Sequence, residues 1–153
     1  MKDAVSFETA IAQLPESAQT AATLLHEKAI AAGLMPYISK SGKKTNFYKI
    51  EYKRAKPEEA LFVLRTDNQK WYVRMKLYHL AGYAGLLNGL SGPAFDDLVS
   101  SRPCKAGCDT PVEFAVDGKG YRLCRHGIRV NDVGVSDIPA LWKLLEEESA
   151  HQT

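Results

Sequence analysis

The sequence predicts an α+β domain: a central antiparallel sheet in meander order, packed by an N-terminal helix, with a C-terminal β-hairpin and a terminal helix. In the first third, apolar residues recur at helical spacing. From Met35 to Tyr78 the period falls to two, the spacing of a strand with one face buried. Helices and strands come in blocks with short connections, which favours antiparallel neighbours over alternating βα units. No internal repeat or linker divides residues 1–153, so a single domain is expected.

Ser6 suits a helix cap, with Phe7, Ile11 and Leu14 facing inward behind it. A longer helix follows. Pro15 fits its first turn, Glu16 favours its positive end, and Gly33 is a natural stop. Its stripe is Ala18, Ala21, Ala22, Leu25, Ala29 and Ala32; so many alanines let a helix lie close to a flat surface, the sheet. Strands are predicted at Met35–Lys40, Lys44–Lys53, Ala60–Thr66 and Lys70–Tyr78, with turn chemistry at Ser41-Gly42, Lys56-Pro57 and Asp67-Asn68. A helix near Leu80–Leu87 would bury Leu80, Tyr83, Ala84 and Leu87, and Ser91-Gly92-Pro93 would restart a helix through Phe95, Leu98 and Val99. A hairpin is then read as Val112–Val116, a turn at Asp117-Gly118-Lys119-Gly120, and Tyr121–Val130. Ser136 is the expected cap of the last helix, which buries Ile138, Leu141, Trp142 and Leu145.

With 153 residues the chain can bury a core without disulfides or metal. At 25% charged residues it is not of disordered composition, and a net charge of +2 excludes a broadly basic protein. Met1 to Val5 lack the apolar run of a signal peptide. The longest apolar stretches, such as Ala60–Leu64, fall far short of the about 20 residues of a membrane span. A cytoplasmic protein without a membrane partner is therefore expected.

The near-neutral total hides an asymmetry. Between Lys40 and His79 there are 11 basic and 4 acidic residues, so this segment carries +7 and the remainder −5. Alternation places Trp71, Val73, Met75 and Leu77 inside with Lys70, Tyr72, Arg74 and Lys76 outside, and Tyr48, Ile50 and Tyr52 inside with Phe47, Lys49, Glu51 and Lys53 outside. Lys49, Lys53, Lys70, Arg74 and Lys76 thus form a candidate anion-binding face, suited to nucleic-acid phosphates with Tyr72 and Phe47 available for stacking. The competing reading is an ordinary solvated sheet face, since Glu51 interrupts the patch.

Large rings are also frequent. Tyr37, Tyr48, Tyr52, Trp71 and Tyr83 are read as lining the inner side, where they form either core or a cleft for a small planar or cationic ligand.

The three cysteines fall near one histidine. Cys104 and Cys108 form a C-x3-C loop, and Cys124 and His126 a C-x-H pair; thiolates plus an imidazole make a tetrahedral zinc set. If Asp117 pairs with Gly120 across the turn, Cys124 lies opposite Glu113 and His126 opposite Pro111, which brings all four to the hairpin's open end. Four protein ligands would make the zinc structural. Reduced, partly buried thiols and a disulfide are the competing readings. A thiolate at Cys124 beside Lys105, Arg125 or His126 would also be activated, which leaves a thiol-dependent enzyme open.

No phosphate loop, dinucleotide loop, zinc-protease helix or nucleophile elbow occurs. The layout, and the stretch from Cys104 through Cys124-Arg125-His126 to Trp142, resembles small bacterial families classed as domains of unknown function. That resemblance implies the α+β fold, carries no assigned activity and leaves function open. The functional expectation is a binding module for a small molecule or protein, using the aromatic sheet face. Its alternatives are a nucleic-acid-associated protein using the basic face and a thiol enzyme.

Overall fold

The protein was analysed as a computed structural model, which describes residues 5–41, 47–54, 59–101, 111–124 and 127–151. Its elements are α1 (Phe7–Ile11), α2 (Glu16–Ala31), β1 (Met35–Ser41), β2 (Phe47–Lys53), β3 (Phe62–Asp67), β4 (Lys70–Met75), α3 (Gly92–Val99), β5 (Val112–Val116), β6 (Lys119–Leu123), β7 (Ile128–Asn131) and α4 (Ile138–His151). The class is α+β as the sequence predicts: a five-stranded antiparallel sheet of order β1-β2-β3-β4-β7, and a separate β5-β6 hairpin.

Local chemistry sets the helix ends. Ser6 Oγ accepts the Thr9 N–H at 3.1 Å and starts α1. Gly33, at φ +88°, ends α2: its own N–H reaches Ile30 O and the Leu34 N–H reaches Ala29 O, both at 3.0 Å. That is a Schellman closure with Leu34 buried behind it. Ser91 Oγ accepts the Ala94 N–H and starts α3.

Two elements differ from expectation. The segment near Leu80–Leu87 is not one α-helix but two 3₁₀ turns, Leu80–Gly82 and Ala84–Gly89, that meet at Tyr83. Gly82, Gly85, Asn88 and Gly89 are poor helix formers, so the predicted inward stripe survives while the α-helical hydrogen bonds do not. The run Tyr121–Val130 is not one strand either. Residues 119–123 pair with β5, and residues 128–131 leave the hairpin to pair with β4 as the fifth strand of the main sheet. The final helix begins at Ile138 after a 3₁₀ turn (Val135–Asp137), with Ser136 inside that turn rather than capping α4.

The free edge of β7 is closed by α3. Asp97 accepts the Asn131 backbone N–H, and Ser101 Oγ bonds both Arg129 N (3.1 Å) and Arg129 O (3.3 Å). Side chains thus occupy backbone groups that would otherwise template pairing with another chain.

One face of the sheet is covered. Ile50, Tyr52, Phe62, Leu64, Trp71, Val73, Met75 and Ile128 enter one core with Ala21, Ala22, Leu25 and Ala29 of α2 and with Leu141, Trp142, Leu144 and Leu145 of α4. Two buried carboxylates anchor the C-terminal part. Asp137 accepts from Ser91 N (2.7 Å) and Ser91 Oγ (2.9 Å), tying the start of α4 to the start of α3. Glu148, fully buried, accepts from the His79 backbone N–H (2.8 Å) and the Tyr83 hydroxyl (2.7 Å), and bonds His79 Nδ1 at 2.8 Å. Glu148→Ala strips these donors of their acceptor and is expected to cost about 3 kcal/mol. Urea unfolding checks this against Lys143→Ala on the exposed side of α4, which should stay within about 0.5 kcal/mol of wild type.

Candidate functional site

The outer face of the sheet is built by strand register. Residues directly opposite share a face, so β1 to β7 contribute one outer row of Ser39, Lys49, Arg65, Tyr72 and Asn131. The adjacent row is Tyr37, Glu51, Val63, Arg74 and Arg129. Among the described outer positions only Val63 is buried; its neighbours are half-buried or exposed.

Two cross-strand pairs in these rows join like charges: Lys49 with Arg65, and Arg74 with Arg129. Like charges directly opposite destabilise a sheet, by a few tenths to about 1 kcal/mol each. Little neutralises them. Lys49 lies 3.5 Å from Glu51, but no described carboxylate pairs with Arg65, Arg74 or Arg129. The Nε atoms of Arg65 and Arg74 are shut off from water without a hydrogen-bond partner among the described residues. The Arg129 guanidinium instead lies over the Tyr72 ring, 4.8 Å from its centroid.

The predicted anion-binding residues divide. Lys49 and Arg74 lie in the two rows, with Lys53 and Lys70 on the same face at the ends of β2 and β4. Lys53 Nζ sits 5.0 Å from the centroid of the Tyr37 ring. Lys76 lies past the end of β4 and is taken up by an ion pair with Glu59. Sequence reasoning missed Arg65 and Arg129. Arg65 was available from alternation, since it stands between inward Leu64 and Thr66. Arg129 was not, because reading Tyr121–Val130 as one strand assigns it to the hairpin.

The predicted ring cluster also divides. Tyr37 is on the outer face: Pro36 and Ile38 pair with inward Tyr52 and Ile50, so the residue between them points away. Tyr48 faces inward but is half-buried at the sheet's end. Tyr52, Trp71 and Tyr83 are packed core, at 0%, 2% and 8% exposure. Tyr52 stacks on Phe62 with centroids 4.5 Å apart, and its hydroxyl bonds His26 Nδ1 at 2.7 Å. Burial raises the pKa of Tyr52, and burial first, then the hydrogen bond and charge of Glu148, raises that of Tyr83. A cavity of about 260 Å³ opens elsewhere, between the end of α2 and α4, against Leu34, Leu61, Trp142 and Leu145.

Of the predicted zinc ligands, Cys104, Cys108 and His126 lie outside the described residues. Cys124 is a half-buried free thiol in the kink between β6 and β7, where the Gly127 N–H bonds its carbonyl at 3.0 Å. The hairpin register differs from the expected one. Val116 pairs with Lys119 and Glu113 with Arg122, because Asp117 (φ +50°) and Gly118 (φ +82°) make a two-residue turn. Cys124 is therefore not opposite Glu113 but one residue beyond the Val112–Leu123 pair.

Compared with family models, with curated proteins and with solved structures, the chain matches none.

The ring packing makes one pH prediction. Desolvation lowers the pKa of His26, which stacks on Phe7 at 3.9 Å, below the ordinary 6.5, against smaller opposing effects of Glu8 and Glu27. As pH falls through 6.5 the unfolded chain takes up a proton before folded His26 does, so this residue's contribution to stability declines below that pH. Urea unfolding at about pH 7.5 and about pH 5.5 should show a smaller acid-side loss in His26→Gln than in wild type.

Proposed function

We propose that the protein binds single-stranded nucleic acid, or an equivalent extended polyphosphate chain, on the outer face of its five-stranded sheet. The observation that supports this is the placement of like charges in opposed pairs, Lys49 with Arg65 and Arg74 with Arg129, with no described acidic partner for the three arginines. Opposite charges directly across strands stabilise a sheet and like charges do not, so the fold itself gains nothing from these pairs. Phosphates placed between the cations would reverse the sign of that interaction. Planar guanidinium groups also match phosphate oxygens bidentately. Tyr72 and Tyr37 add rings to this face, covered by Arg129 and Lys53, and an unpaired base would stack there by displacing those cations toward its phosphates.

The rings read as a small-molecule cleft support that function less, because Tyr52, Trp71 and Tyr83 are occupied in packing and Tyr37 belongs to the outer face. A thiol enzyme rests on Cys124, whose expected partners Arg125 and His126 lie outside the described residues.

Fluorescence anisotropy with a labelled single-stranded oligonucleotide tests the proposal. Binding should weaken steeply with salt, and Arg74→Glu should lower the slope of log K against log salt by about 1 or more. Negligible binding at low salt, or an unchanged slope, would refute it. Lys49→Glu adds a sharper test. It turns the Lys49–Arg65 repulsion into attraction but gives up the Lys49–Glu51 ion pair and sets two glutamates side by side on β2, so stability should stay within about 1 kcal/mol of wild type while oligonucleotide affinity falls. Lys143→Glu, on α4 across the sheet, should leave affinity unchanged.

A further inference from the structure

The cavity between the end of α2 and α4 is walled by Leu34, Leu61, Trp142 and Leu145, all of them buried. Its mouth is polar. Glu146 lines it as an exposed residue and Ser149 as a half-buried one. Trp142 and Glu146, and Glu146 and Ser149, stand four and three residues apart, so one stripe of α4 runs from the apolar wall to the rim. Arg54 reaches the same rim from the sheet. It follows Lys53 of β2 and by alternation returns to the face that α4 covers, where its guanidinium donates to Ser149 Oγ at 2.9 Å. Ser149 thus holds a guanidinium, with the Glu146 carboxylate one helical turn back, about 5–6 Å away between Cβ atoms. Arg54 and Glu146 are not paired with each other, nor with any other charge among the described residues.

We infer that this cavity binds a free α-amino acid with a large apolar side chain, of the leucine kind. A dry cavity of roughly 150 Å³ takes up benzene, so about 260 Å³ has room for a branched four-carbon side chain. Three leucines and an indole suit such a chain. The ligand's α-carbon then lies at the rim, where its carboxylate meets the planar Arg54 guanidinium and its ammonium meets Glu146. An α-amino acid carries both charges on one carbon, and the rim offers both complements around one serine. A fatty acid would satisfy Arg54 but meet Glu146 as a like charge, and an alkylamine would do the reverse. Only a zwitterion uses both. The site lies on the covered side of the sheet, apart from the cationic outer face, and does not depend on the nucleic-acid reading.

Residue-resolved NMR of the indole N–H groups tests this in the full chain, with Trp71 of the sealed core as the internal reference. L-leucine is expected to shift the Trp142 signal saturably and leave that of Trp71 in place. 3-Methylbutylamine, which lacks the carboxylate, and 4-methylpentanoate, which lacks the ammonium, should each bind roughly tenfold more weakly or worse. Arg54→Gln should reduce L-leucine to the level of the amine, and Glu146→Gln to that of the acid. Both residues are exposed, so thermal unfolding temperatures should stay near that of wild type. Ala150→Leu, at the mouth, should abolish the response. No saturable shift at Trp142, equal binding of L-leucine and both analogues, or an unchanged affinity in Arg54→Gln would overturn the proposal.

Discussion

Side chains of a strand alternate between two faces, and the helical layer of this protein covers one of them. Almost everything else follows from that constraint. The inner positions that meet α2 and α4 are apolar, from Ile50 and Tyr52 through Leu64, Trp71 and Val73 to Ile128, with buried Thr66 as a polar exception whose hydroxyl donates to Ala10 O. The outer positions are relieved of packing duty and hold Lys49, Arg65, Tyr72, Arg74 and Arg129. A one-residue slip of any strand would exchange the two sets, so the same hydrophobic pattern that builds the core also presents the cations in register.

The second organising device is polar. Apolar contacts set which face of α4 turns inward but leave its position along its axis loosely determined. Buried hydrogen bonds are directional, and a carboxylate withdrawn from water is costly unless its acceptors are used. Asp137 on Ser91 and Glu148 on His79 and Tyr83 therefore pin α4 near both ends. The Glu148 bond also orients the His79 ring. On the opposite edge, Asp97 and Ser101 of the α3 segment satisfy the outer backbone of β7 and hold Arg129 in the sheet. The nucleic-acid reading depends on that strand, since Arg129 completes the repulsive pair with Arg74 and caps the Tyr72 ring.

Much of this was legible in the residues. The cap at Ser6, the helix restart at Ser91-Gly92-Pro93 and the stop at Gly33 are local chemistry, decided within a few residues of chain. The inside–outside assignment of β2 and β4 followed from period two and needed no partner. Of the basic face, Lys49, Lys53, Lys70 and Arg74 were readable in this way. Tyr37 was misassigned because ring size was weighed above alternation, although Pro36 and Ile38 already claimed the inner face of β1.

Period, caps and turn residues act over short range, so the chain alone fixes the class of most segments and the face of most strand residues, with the 3₁₀ turns after Leu80 and the outward Tyr37 as exceptions. Tertiary structure alone decided which edges meet. Nothing in Tyr121–Val130 announces that residues 128–131 abandon the hairpin for β4, since a strand's alternation is the same whichever neighbour it pairs with. The opposed Arg74 and Arg129, and the bond of Arg54 to Ser149, are likewise products of packing between distant segments, where closure of the fold sets the geometry and no local signal reports it.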